Sequence, residues 1–224
     1  MVASITMGAH AQNKIAIKWS PEFAYAIGLL VTDGCLSKNG SYIDLTSKDE
    51  EQLVNFMKCL DFKNKIGSKF NGSHSKTTMR VQFGDIYFHK FLRSIGLMPA
   101  KSKTLGLITI PEDYFFDFLR GHFDGDGTFY SYWDPRWRSS YMFYVVFSSA
   151  SERHILWIQE EIFQKLGIKG HITKTGKTPI YEIRYAKAES LKLLPKMYYN
   201  PQVVCLSRKR KKIETALAVF REGI

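Results

Sequence analysis

Ala26-Ile-Gly-Leu-Leu-Val-Thr-Asp-Gly34, AIGLLVTDG, is a run of small and apolar residues that stops on a carboxylate and a glycine. The flanking residues suit a helix: Ser20 as its N-cap, Pro21 in its first turn and Gly34 as a left-handed cap at its end. A helix from Pro21 to Asp33 puts an acid at the negative pole of its macrodipole, which is unfavourable by a few tenths to about 1 kcal/mol. Some other group must compensate that placement.

The same grammar recurs once. PEDYFFDFLRGHFDGDG begins at Pro111 and Glu112, about one turn earlier relative to its aspartate, and ends on Asp126 and Gly127, 126 − 33 = 93 residues after the first acid. A strand follows each helix: SYIDLTS alternates with Ile43 and Leu45 inward, and YMFYVVFSS with Phe143, Val145 and Phe147 inward. Next come amphipathic helices, with Leu53, Phe56, Met57 and Leu60 in one copy and Ile155, Ile158 and Ile162 in the other. Their offset is 155 − 53 = 102 residues, so the second copy's first hairpin carries an insertion at SYWDPRWRSS. Each copy ends with a second hairpin (65–83 and 169–186) and a short helix (85–96 and 187–199). The expected fold class is α+β: two αββαββα halves related by a pseudo-twofold, the covalent version of a symmetric dimer. The boundaries are an arm at 1–18, a first half at 19–96, a linker at 97–110, a second half at 111–204 and a basic C-terminal helix at 205–224.

The 224 residues carry 32 Lys plus Arg against 21 Asp plus Glu, a formal charge of +11, which favours a polyanionic partner. Nucleic acid comes first and an anionic membrane surface second; no apolar run approaches the roughly 18–20 residues of a spanning helix, and no signal-peptide pattern opens the chain. A soluble intracellular protein is expected, in a prokaryotic cytoplasm or an organelle matrix. Cys35, Cys59 and Cys205 lack the paired spacing of a structural zinc site and read as free thiols. The six histidines are scattered as surface or core residues.

Ala24, Gly28 and Thr32 recur at intervals of four on the first helix, as Asp117, Gly121 and Gly125 do on the second. The small residues form stripes on which two helix backbones can approach, bringing Asp33 and Asp126 together at one end. Two neighbouring carboxylates repel, and a divalent cation relieves that repulsion. Hard oxygen ligands without a His or Cys cluster suit Mg²⁺, with Mn²⁺ or Ca²⁺ able to occupy the same sites. A single Asp-Gly after a helix is an ordinary turn; its repetition on matching helices argues otherwise.

AIGLLVTDG and LRGHFDGDG resemble, position by position, the signature motif of the LAGLIDADG homing endonucleases, and LRGHFDGDGTF is especially similar to the second motif of single-chain members. The resemblance runs from about Lys14 to Lys212. It implies that curved sheets form a DNA-binding saddle, that Asp33 and Asp126 are metal-binding catalytic acids, and that the backbone carbonyls of Thr32 and Gly125 are further ligands. The implied reaction is hydrolysis of one phosphodiester on each strand of a long asymmetric site, leaving short 3′ overhangs. Asp124 departs in role, as a structural polar contact, because Val31 occupies the matching position. The family also places a basic residue from each half near the scissile phosphates; Lys101 and Lys209 stand at about that point, with Lys103 and Arg208 as rivals. A solvated basic helix or a nuclear-localisation signal accounts for the 208–212 run less specifically.

Alternation assigns Tyr42, Asp44, Thr46, Arg80 and Gln82 to the free sheet face of the first half, and Tyr130, Tyr132, Tyr144 and Arg184 to that of the second. These residue types can read base edges in a major groove. Ser37 and Lys38 in the first hairpin, and Lys69, Lys174 and Lys177 near hairpin tips, are assigned to DNA as well, the lysines to phosphates. In the insertion, Trp133, Arg136, Trp137 and Arg138 either extend contact on one flank or pack the tryptophans. The partner is then double-stranded DNA, with host intron RNA as a further candidate, and the protein a monomer that touches no membrane. An intron RNA maturase or a non-cleaving DNA-binding regulator on the same scaffold is the competing reading, and an intein is disfavoured.

Overall fold

The computed structural model describes residues 13–70, 77–137, 139–176 and 180–222. The first half runs α1 (Pro21–Asp33), β1 (Gly34–Leu36), β2 (Ile43–Ser47), α2 (Glu50–Cys59), β3 (Gly67–Phe70), β4 (Thr77–Phe83) and α3 (Ile86–Ser94). The second runs α4 (Phe115–Asp126), β5 (Thr128–Trp133), β6 (Tyr141–Ser149), α5 (Glu152–Leu166), β7 (His171–Thr175), β8 (Ile180–Tyr185) and α6 (Lys187–Met197), followed by α7 (Ser207–Glu222). Each half holds one four-stranded antiparallel sheet, ordered β1-β2-β4-β3 and β5-β6-β8-β7. The expected element order therefore holds in both halves.

Period-2 burial is clearest where helices cover one sheet face. Ile43, Leu45, Val81, Phe143, Val145, Phe147, Ile183 and Tyr185 all point into the core. On the opposite face, Asp44 pairs with Gln82 and Thr46 with Arg80 across β2 and β4, while Tyr130 lies opposite Tyr144 across β5 and β6. Leu53 and Phe56 of α2, and Ile155, Ile158 and Ile162 of α5, are the inward stripes of amphipathic helices.

The helices α1 and α4 are different. Phe23 to Val31 are all buried, and so are Phe118 to Asp124. A helix enclosed on all sides belongs at the centre of a fold. Here the two central helices pack on one another, and their glycines set how closely. A Cβ on Gly28 would stand 2.6 Å from the His122 backbone nitrogen and closer still to the Phe118 carbonyl; one on Gly121 would strike the Tyr25 carbonyl. Backbone meets backbone at both points.

Two expectations need correction. Gly34 does not adopt a left-handed cap: it is extended, at φ −81° and ψ 151°, and Gly127 matches it at φ −80° and ψ 159°. Glycine is needed for space, since a Cβ at Gly34 would lie 2.7 Å from Leu30 Cα and one at Gly127 2.7 Å from Phe123 Cα. Each chain therefore turns sharply from helix into strand. Second, the early start of the second motif helix is a 3-10 turn, Glu112–Tyr114, and the α-helix begins only at Phe115. The arm, where it is described, is tied down at its inner end. Ile15 is buried, and the backbone nitrogens of Lys14 and Ile15 donate to Asp85 Oδ2 (2.7 and 2.9 Å), while Asp85 Oδ1 caps α3 at Phe88.

Candidate active site

Asp33 and Asp126 close α1 and α4 at the same end of the central pair. A Cβ on Gly125 would lie 3.1 Å from Asp33 Oδ2 and collide with the Thr32 side chain, so the end of each motif helix sits against the other. Only glycine at 125 leaves that space free.

Lys101 and Lys209 answer the electrostatic question raised by the acids. The Lys101 ammonium donates to the Gly34 carbonyl and lies 3.4 Å from that of Thr32. Lys209 donates to the carbonyls of Phe123 (2.5 Å), Asp124 (2.9 Å) and Gly127 (2.7 Å), with that of Gly125 at 3.4 Å. Thr32 and Gly34 correspond to Gly125 and Gly127 in the repeat, so each lysine grips the same two carbonyls of its own motif. The positive charges thereby cap the negative helix ends. Both lysines are nearly enclosed, 8 % and 6 % exposed. Burial lowers the pKa of Lys101 and brings that of Lys209 down to about 8. Their rivals lie elsewhere: Arg208 pairs with Asp49 at 2.5 Å, and Lys103 lines a separate cleft with Arg153 and Tyr181.

Burial raises the Asp33 carboxyl from 3.8 to about 6, and Asp126 adds to the shift. Gln52, Lys209 and Lys101 oppose it in that order. Asp126 is also raised by desolvation, against Lys101 and Lys209, although its side chain reaches solvent. The two acids are not equivalent. Gln52 Nε2 donates to Asp33 Oδ2 at 2.6 Å, and Ser47 Oγ in turn donates to Gln52 Oε1 at 2.9 Å. His154 occupies the matching place in the second half, but it turns inward, with Nδ1 2.7 Å from the Gly106 carbonyl and Nε2 3.1 Å from His122 Nε2. Two histidines that looked scattered are thus a buried pair.

Asp124 is fully buried. Its Oδ2 accepts from Tyr25 OH at 2.8 Å and from the Leu206 backbone nitrogen at 2.7 Å, tying α4 to α1 and to the approach of α7. Arg120, 1 % exposed, donates to the carbonyls of Val204 (2.8 Å) and Met197 (2.7 Å) and to Asp117 Oδ1 (2.7 Å). Together they hold the segment that carries Lys209 over the end of α4. Sequence reasoning missed Gln52, Tyr25 and Arg120 as parts of the site; each is a polar residue inside an apolar helical pattern, which is the signal that was present.

The candidate DNA-facing residues fall into two unlike sets. In the first half Lys69 Nζ donates to Asp44 Oδ2 (3.2 Å) and Thr46 Oγ1 (3.1 Å), with Arg80 4.0 Å from Asp44. Gln82 lies beside them in register, and Tyr42 and Lys38 are exposed toward the β1–β2 turn. Ser37 is buried, its hydroxyl accepting from the Tyr42 backbone nitrogen at 2.9 Å, so it shapes that turn. In the second half Tyr130, Tyr132 and Tyr144 stack, with centroids 5.1–6.4 Å apart. Arg184 pairs with Glu182 at 2.6 Å, and Lys174 lies over the Tyr181 ring. In the insertion Arg136 pairs with Asp134, Trp133 packs on Tyr141, and Trp137 stands 70 % exposed. Arg138 and Lys177 lie outside the described residues.

The sequence of residues 113–196 matches the LAGLIDADG-like domain. No curated protein matches the chain. Among solved structures, the LAGLIDADG homing endonuclease I-LtrWI bound to target DNA is similar over 90 % of each chain, at 14 % identity and a TM-score of 0.57. The meganuclease I-SmaMI bound to uncleaveable DNA is similar over 94 % of this chain and 92 % of its own, at 12 % identity and a TM-score of 0.60. I-DmoI in complex with DNA and Ca is similar over 87 % of this chain and 97 % of its own, at 11 % identity and a TM-score of 0.56.

Proposed function

We propose that this chain, whose second half matches the LAGLIDADG-like domain and whose two halves together take the fold of LAGLIDADG homing endonucleases, is a site-specific double-strand DNA endonuclease. The observation that carries the proposal is the junction of α1 and α4, where Asp33 and Asp126 end neighbouring helices whose terminal carbonyls accept from Lys101 and Lys209 in pseudo-twofold register. The net charge of +11 and the polar outer sheet faces supply the rest: a surface for a duplex, with unlike halves suited to a long asymmetric site.

The donor set fits a divalent cation. Two carboxyls that burial holds protonated more readily than usual, Asp33 with a further push from Asp126, gain from a positive charge between them, and all candidate donors are hard oxygens. Asp33 and Asp126 would hold Mg²⁺, with Mn²⁺ or Ca²⁺ as substitutes, and the backbone oxygens of Thr32 and Gly125, which also face Lys101 and Lys209, would be the further ligands. When bound, such a cation activates water and stabilises the departing oxygen of a phosphodiester. Gln52 keeps Asp33 oriented, and the lysines lower the negative potential that would repel a phosphate. Hydrolysis on both strands leaves short 3′ overhangs in this reading. The protein acts as a monomer, since one chain supplies both acids, in a prokaryotic cytoplasm or organelle matrix.

The experiment is cleavage of a DNA library by the parent and by Asp33→Asn and Asp126→Asn, in Mg²⁺, with sequencing of the cut ends. Cleavage at one site by the parent and none by either variant supports the proposal. Wild-type rates in the variants overturn the site. Tight binding of DNA, or of host intron RNA, without any parental cleavage favours the regulator or maturase reading instead.

A further inference from the structure

Helix α7 has two chemically distinct sides that meet different elements. Ile213 and Leu217, flanked by Arg210, Glu214 and Arg221, line a mixed cleft against Leu191, Leu194 and Tyr198 of the α6 region. Arg208, Lys211, Lys212 and Thr215 line a cleft of about 580 Å³ on the other side, closed by Phe129, Tyr130 and Ser131 of β5. Their spacing of three, four and seven residues puts these four on one helical stripe. No carboxylate borders this second cleft, and among the described residues neither Lys211 nor Lys212 has an acidic partner. Two exposed, uncompensated ammonium groups are donors suited to phosphate oxygens, and so is the Ser131 hydroxyl, which accepts from Tyr141 OH and keeps its own hydrogen; the Thr215 hydroxyl is already given to the Lys211 carbonyl.

Arg208 links the cleft to the candidate active site. Arg208 borders a second opening, formed with Asp33, Gln52, Thr78 and Gly125, as well as the one with Tyr130 and Lys211. Tyr130 belongs in turn to the tyrosine stack on the outer sheet face. Arg208 therefore stands between the opening at Asp33 and the stretch of α7 that faces the stack. Its position is rigidly set: Asn55 Nδ2 donates to the Cys205 carbonyl, Ser207 donates to Glu51 from its backbone nitrogen and its hydroxyl, and Lys209 grips the end of α4. The first half has no equivalent. After α3 the chain makes only the short 3-10 turn Lys101–Lys103 before running on through the linker.

We propose that the α7–β5 cleft is a one-sided clamp for the phosphate backbone of duplex DNA as it leaves the candidate active site over the second half. This rests on the DNA-binding reading but assigns residues outside the sheet faces and the catalytic set. From 208 to 215 the stripe rises about 10 Å, the axial length of roughly three base pairs, so two or three successive phosphates come within reach. The contact carries no base readout; it fixes register and retains one flank.

The test uses Lys211→Gln/Lys212→Gln in the full chain, with Lys192→Gln/Lys196→Gln on α6 as the charge-matched control. Binding to a fluorescein-labelled duplex is measured by anisotropy across about 50–200 mM salt. Loss of two phosphate contacts lowers the slope of log K against log salt by about 1.8, making the affinity about twelvefold less sensitive over that range. The control variant keeps the parental slope. Ethylation interference on a cleaved target then loses its signal on one flank only. An unchanged slope, a slope change equal to the control's, or symmetric flanks overturns the clamp, as does a selective loss of duplex RNA binding with DNA binding intact. A parent that does not bind duplex DNA overturns the DNA reading itself, and one that binds without salt dependence, or cuts DNA with no interference at the cleft, overturns only the clamp.

Discussion

Asp33→Asn should stabilise the metal-free protein while abolishing cleavage. The Asp33 carboxyl is held at about 6 in place of 3.8, first by burial and then by Asp126. Each pH unit of such a shift corresponds to about 1.4 kcal/mol, so the ionised form costs about 3 kcal/mol before any allowance for solvent. Asp33 is only half-buried, and screening reduces the net cost to about 1–2 kcal/mol. The sign follows from the raised folded value: the carboxyl's contribution is fully present below 3.8 and is lost as pH rises through about 6. An asparagine oxygen still accepts from Gln52, so the variant keeps that bond and loses the charge. In EDTA at about pH 7.5 the variant should melt about 2–6 °C above the parent, and the gap should close toward about pH 4. Thermal unfolding followed by circular dichroism across that range measures it. A variant no more stable than the parent at neutral pH, or a gap that does not depend on pH, would refute the claim that the acids repel in a partly desolvated site.

The same geometry makes three further predictions. Gly28→Ala forces α1 and α4 apart, because its Cβ meets His122 and Phe118 backbone atoms; a loss of about 3 kcal/mol or more is expected in denaturant titration, and a neutral substitution would mean that the helices are not in backbone contact. Tyr25→Phe leaves Asp124 Oδ2 with only the Leu206 nitrogen, which should cost about 1–3 kcal/mol by the same assay and slow cleavage through misplacement of Lys209. At limiting Mg²⁺ the cleavage rate should rise through about pH 6, where Asp33 ionises, and saturating Mg²⁺ should move that limb to lower pH because cation and proton compete for the same carboxylate. Rate–pH profiles at two Mg²⁺ concentrations check this, and superimposable limbs would contradict it.

Much of the architecture was legible from local pattern. Alternation at Ile43/Leu45 and Phe143/Val145/Phe147, helical spacing at Leu53/Phe56 and Ile155/Ile158/Ile162, and two Asp-Gly helix ends 93 residues apart (126 − 33) are properties of contiguous residues. Periods of 2 and 3.6 report which side of an element faces the core, so they carry the sheets, the covering helices and the central motif pair. The Gly34 backbone was misread because glycine after a helix has two uses, conformational freedom and lack of a Cβ. Only the approach of the strand to Leu30 and Phe123 shows that the second applies here.

The chemistry of the site depends on contacts that no period encodes. Whether Lys209 or Arg208 reaches the end of α4 is settled by the path of residues 198–206, which Arg120 and Asp124 hold from within the core. Gln52 meets Asp33, and His154 turns away to His122, although the two occupy the same place in the repeat. The sequence by itself determined the repeated halves and the two acids, since those follow from residues adjacent along the chain. The tertiary structure decided which lysines cap the acids' helices, which acid gains an amide partner and where the basic face of α7 lies, because each depends on the packing of elements far apart in the chain.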